Sequence, residues 1–437
     1  MITFIGFTLM LSIIVLILLR RITPIVAFTT LPVAASLSAG FSVEQTGTFI
    51  KSGLATVAPT ATLFIFAILY FGVMRDRGLF HPLVNFLIRM TRGRPIPVAL
   101  MTVATTALVH LDGIGAATFL LIIPALLPVY QRLNMNPLML LCLVGTTAGV
   151  SNMVPWGGTT TRAAAVTGFD ATQLWLALVP VQAIGLLCLF AIAGWLGYRC
   201  QRGAQAMAKP PTELPDASVQ GLTETHALSP RCWRYWANLG LTLTIVGCLF
   251  AGLLPLQATF MIGLGIALPL NFPSLTQQSE RLKAHAGDAM HMALVILAAG
   301  VLLGILSGTR MSEGMAMALN GLMPVDSGQY LHVAIGALGV PLGMLFSPDA
   351  YYFALLPVIN EVAVASGVSA DSVARAMLIG ENTGFIVSPM VPSVYLAVAL
   401  AGMELRAHIR YTFFWAWAVS LVMLAFAVFI GVIGFSQ

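Results

Sequence analysis

Long apolar runs recur along this chain and are separated by short polar stretches. A helix that crosses a membrane needs about 20 mostly apolar residues. In chain order, the uninterrupted runs occupy residues 2–19, 23–41, 54–73, 174–196, 236–254, 257–270, 289–306 and 413–431. The pattern predicts an all-α integral membrane protein.

Two further apolar stretches, residues 137–166 and 373–401, are interrupted by polar and helix-breaking residues. In the first, Asn152, Pro155 and Gly157 are followed by three threonines and then by apolar sequence again. Proline removes a backbone donor and glycine weakens a helix, so both helices should open. Open backbone at membrane depth is tolerated only where it is buried in protein or lines a polar cavity. We therefore expect two broken helices that build a binding site.

Shorter apolar segments surround two polar tips. Residues 96–111 and 118–130 surround Asp112-Gly113-Ile114-Gly115, and residues 332–346 and 352–365 surround Ser347-Pro348-Asp349. Each arm is too short for a confident crossing, so we expect two re-entrant hairpins. Residues 75–94 are basic and amphipathic, which predicts an arm at the membrane interface. Residues 308–323 form a similar amphipathic stretch.

The two halves of the chain contain the same parts in the same order. Residues 1–200 form a first repeat, residues 201–231 a polar cytoplasmic linker, and residues 232–437 a second repeat. Gly145-x3-Gly149 resembles Gly380-x3-Gly384 locally. Five crossings and one hairpin per half give about ten transmembrane helices in all. Because five is an odd number, the first half ends on the opposite side of the membrane from where it begins. The second half should therefore be inverted, with its hairpin on the periplasmic side and the first hairpin on the cytoplasmic side.

The basic residues favour that topology. With both termini outside, 17 lysines and arginines lie on the cytoplasmic side and only Lys51, Arg310 and Arg375 lie outside. Cytoplasmic loops carry such an excess of basic residues. The cytoplasmic set is Arg20, Arg21, Arg75, Arg77, Arg89, Arg92, Arg94, Arg132, Arg199, Arg202, Lys209, Arg231, Arg234, Arg281, Lys283, Arg406 and Arg410.

Composition excludes several classes of protein. The chain is 58% hydrophobic and 8% charged, whereas soluble domains carry about 25% charged residues. This excludes a soluble enzyme or a nucleic-acid-binding protein and implies contact with lipid. The first apolar run lacks the features of a cleaved signal peptide. The five cysteines lack metal-ligand spacing, and no phosphate-binding GxxxxGK[ST] motif occurs. We expect no permanently bound cofactor, and transport driven by ion gradients.

Four charged residues lie within the predicted membrane region: Asp112, Arg162, Asp349 and Glu381. Each would cost about 2.5–3.5 kcal/mol at a lipid-facing midplane, so each should face a cavity or a charged partner. One interpretation is a structural buried salt bridge between Arg162 and an acidic residue. The other interpretation is a transport site. We favour it because all four residues are predicted at hairpin tips or helix breaks rather than in the middle of helices.

Arg162 is the candidate cation for an anionic substrate, because its guanidinium can hold a carboxylate through two hydrogen bonds. A half-helix that begins near Thr159 would present free N–H groups to the same anion, with three threonines as caps or donors. The predicted substrate-binding set is Arg162, Asn152, Ser151, Gly157, Gly158, Thr159, Thr160, Thr161, Gly113, Thr118, Asn382, Thr383, Ser388 and Ser347.

A second set of residues could carry the coupling ion. Burial favours the neutral form of a carboxyl group, so Asp112, Asp349 or Glu381 could bind a proton or another cation. His110 beside the first tip is a further candidate, although a lone histidine is more often structural. Asp112 and Asp349 are also the candidate ligands for a metal ion carried with the substrate.

The stretches LDGIGAATFLLIIPALLPVYQRL, SNMVPWGGTTTRAA, DAYYFALLPVI and GENTGFIVSP resemble the citrate–metal:proton symporters (CitMHS). That family belongs to the ion-transporter superfamily, with the dicarboxylate/sodium symporters. The resemblance implies an elevator mechanism, a homodimer in a bacterial inner membrane, and a di- or tricarboxylate substrate. It also implies proton coupling and a divalent metal such as Mg²⁺ or Ca²⁺ carried with the acid.

The sequence departs from that family pattern near the first tip. Ile114 stands where the family has an acidic residue, Ala116 and Ala117 replace hydroxyl residues, and Thr159 replaces a proline. Fewer oxygen ligands weaken the prediction of a bound metal but leave that of an anionic substrate intact.

We therefore predict an inverted-repeat, elevator-type symporter of a citrate-like acid with protons. Three alternatives remain: a sodium-coupled carboxylate symporter, a cation/proton antiporter without an organic substrate, and a membrane-embedded enzyme. The last has little support because neither tip aspartate lies in a catalytic motif.

Overall fold

The computed structural model describes residues 2–19, 21–79, 82, 94–206, 232–251, 253–322 and 328–435, and these residues are helical with no strand among them. The first-half helices are α1 (Ile2–Leu18), α2 (Pro24–Ser38), α3 (Val43–Asp76), α4 (Pro95–Val109), α5 (Gly115–Arg132), α6 (Pro137–Ser151), α7 (Gly158–Thr167) and α8 (Ala171–Ala206). The second-half helices are α9 (Trp233–Ala251), α10 (Leu256–Asn271), α11 (Leu275–Gly308), α12 (Met311–Leu322), α13 (Leu331–Ala337), α14 (Gly339–Leu345), α15 (Leu356–Ala365), α16 (Ala370–Gly384), α17 (Pro392–Leu400) and α18 (Leu405–Phe429).

Several helices are longer than the apolar runs from which we inferred them. Helices α3 and α11 each have 34 residues, and α8 has 36. The apolar run defines only the part of a helix that fits the hydrocarbon, and polar turns continue beyond it. The start of α3 illustrates this, because Ser42 and Gln45 form a capping box well before the apolar run begins. Helix α8 likewise continues through Ala206, into the segment we had assigned to the linker.

Helices α3 and α11 bring their backbones into contact at a crossing formed by three glycines. A Cβ atom added to Gly53 would collide with the backbone of Gly300 and Gly304, and one added to Gly304 would collide with the carbonyl oxygen of Phe49. Small residues let membrane helices approach this closely, so that dispersion contacts extend along the crossing. Around this pair, α1, α2 and α12 contribute to the same hydrophobic cluster, which also contains Ala165 on α7 and Phe353 in the second hairpin. We call these five helices, α1, α2, α3, α11 and α12, the scaffold.

Two helical hairpins pack against the broken helices. Helices α4 and α5 meet at a 3₁₀ turn, His110–Asp112, and Gly113 adopts the left-handed conformation (φ 71°) that reverses the chain. The second hairpin is less regular. Its first arm, Gly328–Leu345, bends by 68° between α13 and α14, and its second arm contains a π-helical stretch, Tyr351–Leu355, before α15.

Both predicted breaks are present, and the second lies at its prolines rather than at its glycines: Ala370–Val387 and Pro392–Leu400 meet at an angle of 43°. Helix α6 ends at Ser151 and α7 begins at Gly158, so residues 152–157 are unwound as predicted. In the second stretch, however, Gly380–Gly384 belongs to α16, and the helix ends only after a 3₁₀ turn, Phe385–Val387. The two glycines serve close packing instead: Gly380 lies against Gly336 and Gly339, and Gly384 against Val340.

Fewer helices than expected reach the length of a full crossing. Six helices in the described residues are long and apolar enough to cross a membrane, or eight if each of two bent pairs counts as one span, against about ten expected. Both arms of the first hairpin are among the six, because each helix exceeds its apolar run. Helices α1, α2 and α10 have only 15–17 residues. Most of the expected interfacial arm (75–94) and residues 207–231 of the expected linker lie outside the described residues.

Candidate functional site

The guanidinium of Arg162 lies in an ion pair with Asp349, at the tip of the second hairpin. Both Nε and Nη2 contact the same carboxylate oxygen, Oδ1, at 2.8 and 2.7 Å. Nη1 donates to the carbonyl oxygen of Gly158 at 2.7 Å, and Nη2 lies 3.8 Å from the sulfur of Met292 on α11. The salt-bridge interpretation therefore describes this conformation, and the cation is not free as we had expected.

The half-helix that carries Arg162 begins at Gly157, which has no side chain to cap it. The expectation that the threonines cap this end is wrong, because each points elsewhere. Thr161 donates back to the carbonyl oxygen of Gly157 at 2.9 Å, and the hydroxyl of Thr160 is buried without a partner among the described residues. The first-turn N–H groups, which carry the positive end of the helix dipole, are thus left without a side-chain cap.

A buried polar cluster joins the two broken helices. The side-chain oxygen of Asn382 on α16 accepts from Asn152 Nδ2 at 3.0 Å and from the hydroxyl of Thr159 at 2.8 Å. Asn152 and Thr159 also lie 3.4 Å apart. A Cβ added to Gly149 would collide with the backbone of Asn382, so α6 and α16 approach closely here. The cluster fixes the unwound segment of the first half against the helix of the second.

The first hairpin tip contacts the same unwound segment. Trp156 Nε1 donates to the carbonyl oxygen of Leu111 at 2.7 Å, and a Cβ atom added to Gly113 would lie 3.5 Å from the Cα of Gly157. Asp112 is 6% exposed; its Oδ1 accepts from the backbone N–H of Ile114 at 2.9 Å. Its Oδ2 lies 3.9 Å from Arg75 at the end of α3. The tip is therefore held by both a broken helix and the scaffold.

Glu381 and His110 are buried and bonded within the helical body. Glu381 is 2% exposed and accepts a hydrogen bond from the hydroxyl of Tyr352 at 3.0 Å. It lies inside α16 rather than in an unwound segment, which corrects its predicted position. His110 Nδ1 lies 2.8 Å from the hydroxyl of Thr118, so these two candidates are hydrogen-bonded to each other across the first hairpin.

Two cavities flank Met292, and their walls contain part of the predicted site. The larger, of about 760 Å³, is lined by Arg162, Ser347 and Asp349. The smaller, of about 290 Å³, is lined by Asp112 with its neighbouring glycines and by Gly158. The two candidate metal ligands, Asp112 and Asp349, therefore lie in different cavities, which corrects the expectation of one shared pocket.

Of the remaining predicted substrate contacts with a hydroxyl group, only Ser347 lines either cavity. Their hydroxyls bond locally: Thr383 donates to the carbonyl oxygen of Ile379, Ser388 accepts from the N–H of Met390, and Ser347 accepts from the N–H of Ala350 while lining the larger cavity. Ser151 is buried at the end of α6. These residues shape the unwound segments in this conformation.

Sequence reasoning missed four residues that the structure brings to the site. Asp288 and His291 on α11 line both cavities, and Arg21 lines the larger one. Their position near the polar ends of apolar runs made them look like ordinary interfacial residues. Tyr352, the partner of Glu381, is the fourth. Two consecutive tyrosines directly after the second tip, within an otherwise apolar run, were a signal for it.

No group of three or more His, Cys, Asp or Glu side chains able to hold a metal ion occurs among the described residues. A metal that accompanies a substrate is different, because the substrate supplies most of its ligands. One protein carboxylate facing a roomy cavity suffices for that chemistry, and Asp349 is such a group.

Comparison with known proteins identifies the family. The citrate transporter family profile (CitMHS) matches residues 3–380. The chain belongs to the citrate transporter family. The chain is 37% identical to the Mg(2+)/citrate complex secondary transporter of Bacillus subtilis (strain 168), over the full length of both. It is 36% identical to a citrate transporter of the same organism, again over both full lengths.

Members of the citrate transporter family are secondary transporters, so the expectations of a multi-pass membrane protein and of a non-enzyme are confirmed. The fold is also similar to two solved transporters. The Alcanivorax borkumensis YdaH transporter matches with a TM-score of 0.64 and 15% identity, covering 90% of each chain. Neisseria gonorrhoeae MtrF matches with a TM-score of 0.62 and 13% identity, covering 88% of this chain and 84% of that one.

Proposed function

We propose that this protein takes up citrate or a closely related acid, complexed with a divalent metal ion, by symport with protons. The observation that carries the proposal is the buried guanidinium of Arg162 on the wall of a cavity of about 760 Å³. Arg162 lies one turn into an uncapped half-helix, whose first-turn N–H groups would add to the attraction for an anion. The full-length relative that carries an Mg²⁺/citrate complex supports the substrate class.

Protons are the proposed coupling ion, and Asp112 and Glu381 are the proposed acceptors. Both carboxyl groups are buried, and neither forms a close ion pair: Asp112 is 3.9 Å from Arg75, and Glu381 is bonded to a neutral tyrosine. A buried carboxyl group without a close cation is most stable when protonated. Uptake of a proton with the anionic substrate would also bring the loaded site closer to neutrality.

An elevator motion is proposed on the basis of the two packing units. Helices α1, α2, α3, α11 and α12 form the scaffold, and the hairpins, broken helices, α8 and α18 form the moving unit. Near the site the two units meet through side chains, such as Phe28 against Phe353 with ring centroids 5.6 Å apart, Phe71 against Trp156 at 5.7 Å, and Arg75 with Asp112 at 3.9 Å. Within the moving unit, by contrast, glycines bring helix backbones together. We propose five crossings and one hairpin per half in inverted orientation, both termini outside, and a homodimer in a bacterial inner membrane.

Reconstitution into vesicles tests the proposal. Labelled citrate uptake should require Mg²⁺ or Ca²⁺ and an inward proton gradient, and should not respond to a sodium gradient at fixed pH. Loss of uptake in Arg162→Ala, in protein that remains monodisperse in detergent, would support the assigned site. Uptake driven by sodium would favour the sodium-coupled alternative, and absence of citrate binding with or without metal would refute a carboxylate transporter.

A further inference from the structure

The Arg162–Asp349 pair already neutralises the cation that the substrate must reach. Both guanidinium contacts go to Oδ1 of Asp349, and within the part of the chain that the structure describes Oδ2 makes no hydrogen bond. The Asp349 side chain is 17% exposed, against 9% for Arg162, and both line the larger cavity. The carboxylate is thus the more accessible member of the pair.

We propose that this ion pair selects a metal–carboxylate complex over the free acid by exchanging both partners at once. The divalent cation of the complex replaces Arg162 as the partner of Asp349, while a substrate carboxylate replaces Asp349 as the partner of Arg162. The inference rests on the proposed function, since it assigns the two charged parts of the cargo to two named side chains.

The chemistry of each partner fits its new role. Magnesium prefers one or two carboxylate oxygens and keeps several water molecules. Asp349 offers such an oxygen at the hairpin tip, in a cavity with room for a hydrated ion. Arg162 stays aimed during the exchange, because its Nη1 remains bonded to the carbonyl oxygen of Gly158 at 2.7 Å. The contacts to oxygen use three of its N–H groups, and a guanidinium has five.

The free acid meets a penalty that the complex avoids. If an acid without metal displaced Asp349 from Arg162, the displaced carboxylate would remain unpaired beside a multiply charged anion. Removing one partner from a buried ion pair is strongly unfavourable, because it leaves an uncompensated charge. The metal ion pairs with that carboxylate instead, so no charge is left alone. The pair therefore rejects the free acid by electrostatics rather than by shape.

The test compares binding of labelled citrate with saturating MgCl₂ and with EDTA, on full-length protein in proteoliposomes. We expect wild-type protein to bind the magnesium complex more tightly than free citrate. Asp349→Asn keeps the shape but removes the competing charge. Its ratio of the two affinities should shift at least tenfold towards free citrate, equivalent to about 1.4 kcal/mol. Both affinities in the ratio are measured on the same variant, so a general loss of stability affects both and cancels.

Asp371→Asn is the matched control. Asp371 forms a similar ion pair with Arg375 at 2.7 Å, and neither residue lines the two cavities. Its affinity ratio should equal that of the wild type. An unchanged ratio in Asp349→Asn, or an equal shift in Asp371→Asn, would overturn the inference while leaving citrate transport standing. Failure of the wild type to bind citrate in either form would instead refute the proposed function.

A reciprocal variant gives a second readout that needs no citrate. Arg162→Gln leaves Asp349 without its cation, so Mg²⁺ alone should bind there and raise the thermal unfolding temperature. The wild type should show no such response, because its carboxylate is already paired. An equal response to Mg²⁺ in both proteins would contradict the exchange of partners.

Discussion

Asn382 connects the two broken helices, and its replacement tests whether their polar cluster holds the site together. Asn382→Ala removes the acceptor of two hydrogen bonds, from Asn152 at 3.0 Å and from Thr159 at 2.8 Å. Hydrogen bonds between membrane helices contribute about 0.6–1.7 kcal/mol each. We therefore expect the free energy of unfolding to fall by about 1–3 kcal/mol, before any cost of the space left behind.

The assay is equilibrium unfolding in mixed detergent micelles titrated with SDS. A double-mutant cycle with Thr159→Ala isolates the bond itself, because the cost of lost volume appears in both single variants and cancels. The coupling energy should be about 0.6–1.7 kcal/mol. A coupling energy of zero within error would show that the contact between Thr159 and Asn382 does not stabilise the junction, and the reasoning would fail.

Two further variants probe the scaffold and the coupling ion. Gly304→Ala places a methyl group against the backbone of α3 and should lower the free energy of unfolding by about 1–3 kcal/mol, measured by thermal unfolding. The control is Gly287→Ala, which lies in the same helix with open space around it and should be neutral or stabilising in that assay. Glu381→Gln keeps an acceptor for the Tyr352 hydroxyl but cannot bind a proton, so citrate uptake in vesicles should lose part of its dependence on the pH gradient. Full dependence in this variant would exclude Glu381 as a proton carrier.

The sequence was informative wherever one local property decided the outcome. Proline and paired glycines near residue 155 cannot continue a helix, so the first break was predictable within a few residues. The prolines after residue 388 predicted the second break in the same way. Glycine does not always mark a break, however: Gly380 and Gly384 serve close helix packing, which only the neighbouring backbone of Gly336 and Gly339 reveals. The apolar runs underestimate the helix lengths, because an apolar run spans only the part of a helix that lies in the hydrocarbon of the bilayer.

The sequence does not predict which residues pair with each other within the site. Arg162 and Asp349 are both candidate site residues because a charged side chain in hydrocarbon is energetically costly. A buried salt bridge is one of the two interpretations of that observation. Nothing in the local sequence decides which carboxylate meets the arginine, since the two residues lie 187 positions apart. Asp288 was missed for a related reason: a charge near the end of an apolar run looks the same whether it faces lipid headgroups or a cavity.

The glycine crossing of α3 and α11 has a consequence for how the chain is assembled. These helices come from opposite halves of the sequence, yet their backbones touch where Gly53 meets Gly300 and Gly304. The cluster at Asn382 joins the halves a second time. Covalent continuity between the halves is therefore not what keeps them together. A gene divided anywhere within codons 207–231 should yield two polypeptides that co-purify.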